Sequence, residues 1–294
     1  MGPWLSQFRE RNLESRSSQP FVAHLRALRH AGAVSTLAAL AVLGACAPNV
    51  SAGAWECPTE RSADGGVSQP LTRTDPVPVP WSNGFEDGFC GYPGEDGPGY
   101  CYGDDKYLLV TEPHRPGGRV AAEFKVFGDG YKQTRCVRQG ILPEAAIYGA
   151  WYFIPEALQD APNWNLFHFQ GADTPVPRPP DLWDVSLSEI GDSGNWELVV
   201  RDYLTPGGST VYSGPDHKAV PIGRWFHIEL LLKRASDSTG KVALYQDGAL
   251  LFEQKNLKSD ASAFTQWYVG DWAERATPAN SSLYVDDVSI SAPP

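Results

Sequence analysis

Positive charge is scarce in this chain. Its 294 residues hold 24 Lys plus Arg against 35 Asp plus Glu, a net charge of −11. A nucleic-acid partner needs a basic footprint against its phosphates, so this balance excludes one. Cysteine occurs five times and methionine once. Five thiols are too few for a disulfide-built scaffold and enough for one or two bridges, and the lack of any Cys-x-x-Cys spacing argues against a zinc site. The nucleophile elbow Gly-x-Ser-x-Gly, the His-Glu-x-x-His helix motif, the P-loop and the Rossmann fingerprint are all missing. No apolar run reaches the ~20 residues that span a bilayer. Present instead are 29 Gly, 25 Pro and 12% aromatics within 42% hydrophobic residues. That is material for a real core, which excludes disorder as the main state. The many turn-formers predict short strands rather than long helices, and so an all-β body.

The first 45 residues read as an address. Residues 1–30 carry Arg9, Arg11, Arg16, Arg26 and Arg29 against Glu10 and Glu14, and residues 31–45 follow without one charge. A basic flank, a short apolar run and a small-residue end mark a secretory signal; the alternative is a short buried helix. The run closes as Leu43-Gly44-Ala45-Cys46, which resembles the bacterial lipobox, whose cysteine receives a diacylglyceryl group. The resemblance implies lipidation at Cys46 and an exported protein at the bacterial cell envelope, on the outer membrane or cell surface, touching membrane only through that lipid. Removing residues 1–45 takes away five arginines and two glutamates, leaving 19 basic and 33 acidic side chains and a net charge of −14. Residues 46–80, rich in Pro, Gly and Ser, predict a tether stiffened near its end by Pro76, Pro78 and Pro80. Residues 81–294 are the predicted folded domain.

Within that domain the alternation of half-buried strands recurs. Asn165, Phe167 and Phe169 fall on one face of a strand and Leu166, His168 and Gln170 on the other. Trp183, Val185 and Leu187 alternate with polar neighbours, as do Phe226, Ile228, Leu230 and Leu232. Residues 241–246 and 249–254 flank Asp247-Gly248, a dipeptide suited to a two-residue hairpin because both turn positions need positive φ. Residues 283–290 form the last predicted strand, and residues 155–158 a single helical turn. So many strands fit a two-sheet antiparallel jelly-roll sandwich, with one sheet offering a concave face to ligand.

The stretch Gly223 to Gln254, reading GRWFHIELLLKRASDSTGKVALYQDGALLFEQ, with YGAWYFIPE before it and LYVDDVSIS at the end, resembles the concanavalin A-like jelly rolls. More narrowly it resembles the bacterial polysaccharide lyases related to heparin lyase I, over residues 81–291. The resemblance implies the sandwich fold, a polysaccharide partner and, in part, the site. Asn83-Gly84-Phe85-Glu86-Asp87-Gly88 and Tyr284-Val285-Asp286-Asp287-Val288 are similar to the opening and closing strands that hold a structural calcium in sandwich carbohydrate-binding proteins. By that likeness Glu86 and Asp286 would hold Ca2+, hard oxygens for a hard cation; otherwise they are acids at a turn and a strand end.

Lyases of polyuronates abstract the proton α to a carboxyl group and expel the glycosidic oxygen. They need a base and groups that hold the carboxylate. If Phe167 and Phe169 fill the core, His168 and Gln170 point into the groove. Related lyases carry Gln-x-His on a comparable strand; here the order is reversed, His168-Phe169-Gln170. Arg201 as carboxylate clamp and Tyr203 as proton donor complete the candidate catalytic set by spacing, the competing reading of His168 being a structural imidazole. Arg135 and Arg138 are candidate contacts to an acidic glycan, or a solvated edge. Indole faces stack on sugars, and Trp164 and Trp272, beside turn-like residues, are the tryptophans expected to be exposed for substrate. The motif Glu-x-Asp-x-x-Glu of jelly-roll glycoside hydrolases is absent, Asp184 and Glu189 being too far apart to imitate it. Cys90 and Cys101 bracket a Gly- and Pro-rich loop and are expected to pair, leaving Cys57 for Cys136.

Two expectations follow. One is a monomeric, exported, lipid-anchored polysaccharide lyase-like protein that binds a glycan in the concave groove and cleaves a uronic-acid polysaccharide by β-elimination. The other is a non-catalytic carbohydrate-binding surface lipoprotein.

Overall fold

Runs of Val, Ile, Phe, Tyr and Trp alternating with polar residues fit a pleated surface with one wet face, and in a computed structural model they become strands throughout. The structure describes residues 71–294 apart from 104–106, 127–130, 158, 160–163, 172–180, 192, 205–208, 261, 263–264, 275–277 and 279–280. The signal segment, Cys46, Cys57 and the tether up to residue 70 lie outside the described residues.

In chain order the strands begin with β1 (Trp81–Asn83), β2 (Gly99–Tyr102), β3 (Tyr107–Val110) and β4 (Ala121–Val126). The long strands β5 (Tyr131–Gly140), β6 (Ala145–Phe153), β7 (Trp164–Gly171) and β8 (Asp181–Glu189) come next. Then follow β9 (Trp196–Asp202), β10 (Thr210–Ser213), β11 (Trp225–Lys233) and β12 (Gly240–Gln246). The chain closes with β13 (Ala249–Leu257), β14 (Thr265–Glu274) and β15 (Ser281–Ser291). One sheet runs β13-β12-β11-β6-β15-β4-β3 with β1 added on β15; the other runs β10-β9-β8-β7-β14-β5-β2. Every strand pairing is antiparallel. The protein is thus an all-β, two-sheet sandwich of jelly-roll type. No helix occurs among the described residues, and Pro155 and Glu156 form a bend where a helical turn was expected.

The core lies between the sheets. Tyr148, Tyr152, Phe226, Ile228 and Val285 from one meet Phe167, Phe169, Trp183 and Trp267 from the other. Asp247 and Gly248 turn the β12–β13 hairpin with φ of 53° and 74°, the positive values that this dipeptide tolerates. The body starts earlier than the predicted boundary at residue 81: Val77 N donates to Ile141 O at 3.0 Å, and the Val77 side chain is buried in the core.

Two elements depart from simple alternation. The β7–β8 register shifts between Asn165 and Phe167. Leu166 and Phe167 therefore both enter the core, and Asn165 moves to the face of His168, the reverse of the sequence expectation for Asn165 and Leu166. The disulfide is the second departure. Cys101 bonds Cys136, its direct partner across β2 and β5, so the expected Cys90–Cys101 pairing is replaced and Cys136 is not left for Cys57. Proximity along the chain was outweighed by strand register, which brings Cys101 and Cys136 to a Cα separation of 4.0 Å. Cys90 is disulfide-bonded as well.

Candidate functional site

Residues directly opposite one another in a sheet share a face. On the outer face of the seven-stranded sheet one such row runs Tyr100, Val137, Tyr268, His168, Asp184 and Arg201, from β2 to β9. A second row holds Gln139, Gln266 and Gln170. On the other side of the first lie Tyr102 and Arg135, then Asn165 and Ser186. The phenylalanines of β7 point inward as expected, so His168 and Gln170 point outward, although His168 keeps only 9% exposure among its neighbours.

His168 Nδ1 meets Asp184 Oδ1 at 2.5 Å, and Tyr203 OH donates to Asp184 Oδ2 at 2.8 Å. The buried carboxylate therefore serves two donors, one on β7 and one just past the end of β9. Tyr268 packs edge-on against the His168 ring, centroids 5.0 Å apart. Its hydroxyl lies within reach of Gln170 Oε1 at 2.8 Å and Gln266 Oε1 at 2.6 Å, and donates to one of them at a time. Arg135, 5% exposed, sits over the rings of Tyr268 and Trp272 at 5.6 and 5.7 Å. Its Nη2 donates to Asn165 Oδ1 at 3.1 Å, and it hydrogen-bonds Tyr102, whose phenol is nonetheless pushed up by burial. Beneath this cluster Asp271 is fully buried, accepts from Trp164 Nε1 at 3.0 Å, and is pushed up to about 7 by desolvation.

The structure thus brings His168, Gln170, Arg201, Tyr203, Arg135 and Trp272 to one region of one face. Two candidates lie elsewhere. Arg138, three residues from Arg135 on a strand, faces the opposite side, where it covers Trp81 at 4.8 Å and donates to Gly91 O at 3.4 Å. Trp164 is 2% exposed and stacks edge-on against Trp196 inside the molecule; turn-forming neighbours did not make it a surface ring. Asp184, Asn165, Tyr268, Gln266 and Tyr102 had not been singled out as candidates. Tyr268 and Gln266 carried a signal, since Gln266-Trp267-Tyr268-Val269 alternates polar with apolar. Asn165 carried none, because a bulge decides its direction.

Glu86 and Asp286 also come together. Glu86 Oε1 and Asp286 Oδ2 lie 2.9 and 3.6 Å from where a Cβ on Gly118 would stand. Glu86 accepts from Arg119 N at 2.6 Å and Arg119 Nε at 3.0 Å; Asp286 accepts from Arg115 N at 3.2 Å and Asp287 N at 2.7 Å. Burial, with Asp287 adding repulsion, pushes Asp286 up to about 6. Among the described residues, no three His, Cys, Asp or Glu side chains form a metal-binding group.

A family model described as polysaccharide lyase matches residues 132–289, more than half of the chain. Similar solved structures include an endo-β-1,4-glucuronan lyase from the fungus Trichoderma reesei, 20% identical with a TM-score of 0.53, the match covering 66% of this chain and 90% of that one. An alginate lyase from Aplysia kurodai is 13% identical with a TM-score of 0.48, the match covering 67% and 91% of the two chains. At such identity the likeness to the fungal structure concerns the fold. No curated protein matches the chain.

Proposed function

The chain belongs to the polysaccharide lyase family, and from that premise we propose that it binds a uronic-acid polysaccharide on the outer face of its seven-stranded sheet and cleaves it by β-elimination. The observation that carries this reading is one cluster: an imidazole anchored on Asp184, a tyrosine hydroxyl on the ring that touches it, and a buried guanidinium over that same ring. Elimination removes the hydrogen α to the carboxyl group as a proton. Its electron pair becomes the new carbon–carbon double bond while the bond to the glycosidic oxygen breaks, and that oxygen leaves with a proton.

Asp184 keeps the His168 proton on Nδ1, so Nε2 carries the lone pair that accepts the α proton. Tyr268 gives its proton to the leaving oxygen, and the amides of Gln170 and Gln266, turned to present N–H, support the resulting phenolate. Arg135, steadied by Asn165 and Tyr102, takes the carboxylate of the reacting sugar and stabilises the charge that builds on it. Trp272 offers a ring to a sugar face. Tyr203, the donor expected from spacing, commits its hydroxyl to Asp184 and acts through it.

Two further parts of the proposal stand apart from the chemistry. Export and lipidation at Cys46 are supported by the sequence of the first 46 residues. Calcium at Glu86 and Asp286 is supported by donor chemistry: two hard oxygens meet over a glycine, and a cation relieves the desolvated, repelled Asp286 carboxyl. The ion would tie the turn after β1 to β15 and take no part in elimination.

The test is an absorbance assay for unsaturated uronate products, run with purified protein across a panel of polyuronates, with and without chelator, beside a thermal melt. Products are expected from the wild type and a loss of about 10²-fold or more in His168→Ala and Tyr268→Phe. A lower melting point in chelator supports the ion. Folded wild type that binds glycans and yields no absorbance ends the elimination reading in favour of a non-catalytic binder.

A further inference from the structure

A strand inside a sheet is held from both sides, whereas an edge strand has ladder bonds on one side only and is the first to open. Of the strands that line the candidate site, β5, β7, β8, β9 and β14 each lie between two neighbours, and β2 is the edge. It is four residues long. Gly99 at its start and Gly103 just past its end are the residues with most backbone freedom to regain when the strand opens. By its ladder alone β2 is prone to fray.

Yet β2 carries Tyr102, whose ring packs edge-on against Tyr268 with centroids 6.3 Å apart. Its hydroxyl donates to Gln133 Oε1 at 3.2 Å, which leaves the oxygen to accept from Arg135. The buried carboxyl of Asp271 faces the Arg135 charge from below, and Tyr102 closes the guanidinium in from the side. One edge residue thus braces both the carboxylate clamp and the proton donor of the elimination reading.

Cys101, the residue before Tyr102, points the other way, toward the core, and bonds Cys136, the residue after Arg135. Register sets the two pairs side by side, Cys101 opposite Cys136 and Tyr102 opposite Arg135. The covalent link therefore sits one residue from the contact that β2 makes with the site. Without it, β5 keeps its pairing with β14 from Tyr131 to Gly140, so what is released is β2 and not the sandwich. Cys136 is buried and Cys101 only half-buried, which leaves one sulfur open to a thiolate.

We propose that Cys101 and Cys136 are positioning residues: their disulfide holds β2 down so that Tyr102 braces Arg135 and Tyr268, and a dithiol reductant slows turnover without unfolding the protein. The dithiol attacks one sulfur, the mixed disulfide resolves, and two electrons and two protons pass to leave two cysteine thiols and a cyclic disulfide of the reductant. The effect on turnover rests on the elimination reading, whereas the hold on β2 does not.

The full chain is compared with Cys101→Ala/Cys136→Ala, with Tyr102→Ala and with the triple variant, by rate of unsaturated product at a temperature where melts show all four folded, and by hydrogen exchange of peptides covering β2. The cysteine variant is expected to exchange faster in β2, unchanged in β7 and β14, and to lose about tenfold in kcat. Dithiothreitol is expected to reproduce that loss in the wild type and to add nothing in the cysteine variant. In the Tyr102→Ala background, removing the disulfide is expected to change kcat by less than about twofold, because the brace is already gone. An unchanged rate or unchanged β2 exchange in the cysteine variant overturns the proposal, as does a tenfold loss repeated in the Tyr102→Ala background. Faster β2 exchange in a set of proteins that yield no unsaturated product upholds the hold on β2 and defeats the elimination reading alone.

Discussion

Asp184 joins β8 to β7 and to Tyr203, just past the end of β9, through its two carboxylate oxygens, one on His168 Nδ1 and one on the Tyr203 hydroxyl. A carboxylate accepts on both oxygens, whereas an amide accepts on one and donates from the other. In Asp184→Asn the amide N–H2, facing the imidazole, favours the tautomer with the proton on Nε2 and removes the lone pair that elimination needs. The expected outcome is a fall in kcat of about 10²-fold or more, with imidazole nitrogen NMR reporting the switch from Nδ1–H to Nε2–H. Tyr203→Phe keeps the His168–Asp184 contact and is expected to lose about tenfold or less. An unchanged tautomer in Asp184→Asn would remove this positioning role. His168 was visible in the sequence because two phenylalanines flanked it in strict alternation. Asp184 was not, since an acid between Trp183 and Val185 is equally what any wet strand face carries.

The site also depends on two bulges in adjacent strands. In β7 the shift at Leu166 turns Asn165 outward toward Arg135; in β14 a shift between Val269 and Trp272 surrounds Gly270. Gly270 has φ of 145°, and a Cβ there would stand 2.4 Å from Thr134 O, so only glycine fits. A single hydroxyl from the opposite sheet touches both irregularities: Tyr152 OH donates to Leu166 O at 2.9 Å and accepts from Gly270 N at 3.2 Å. Tyr152→Phe leaves these buried backbone groups short of a partner. It is expected to reduce stability by about 1–3 kcal/mol, several degrees in Tm, and to reduce kcat/KM by loosening Asn165 and Trp272. A melt and a rate equal to wild type would show that the bulges hold without it. The regular strands and the Asp247-Gly248 hairpin were legible because period-2 patterning and turn chemistry are local. The bulges were not, because a one-residue slip is settled by contacts from the other sheet, 14 and 118 residues away from Tyr152.

At the scale of the whole molecule, fold class was legible from composition and alternation, while the site was legible only in pieces. Its members come from β5, β7, β8, β9 and β14, and which of Arg135 and Arg138 lies on the outer face follows from strand parity once the strand is fixed. Supporting this surface from below has a consequence for stability. Asp271 is buried with Trp164 Nε1 as its hydrogen-bond donor, and desolvation raises it to about 7, the Arg135 charge offsetting only part of that burden. Its ordinary value lies near 4, so between about pH 4 and pH 7 the folded state holds a proton that the unfolded state has released. Stability then falls as pH rises through that window and is level above it, the reverse of a salt-bridged carboxylate. A melt series is therefore expected to give a higher Tm at pH 5 than at pH 8, the Asp271 share being on the order of a few kcal/mol. Asp271→Asn keeps an oxygen for Trp164 and carries no charge to bury, so its pH dependence should be markedly flatter, with the gain over wild type appearing at pH 8 and absent at pH 4. A wild-type Tm that rises steadily from pH 5 to pH 8 would mean that Asp271 is ionised in the folded protein, held by Arg135 after all.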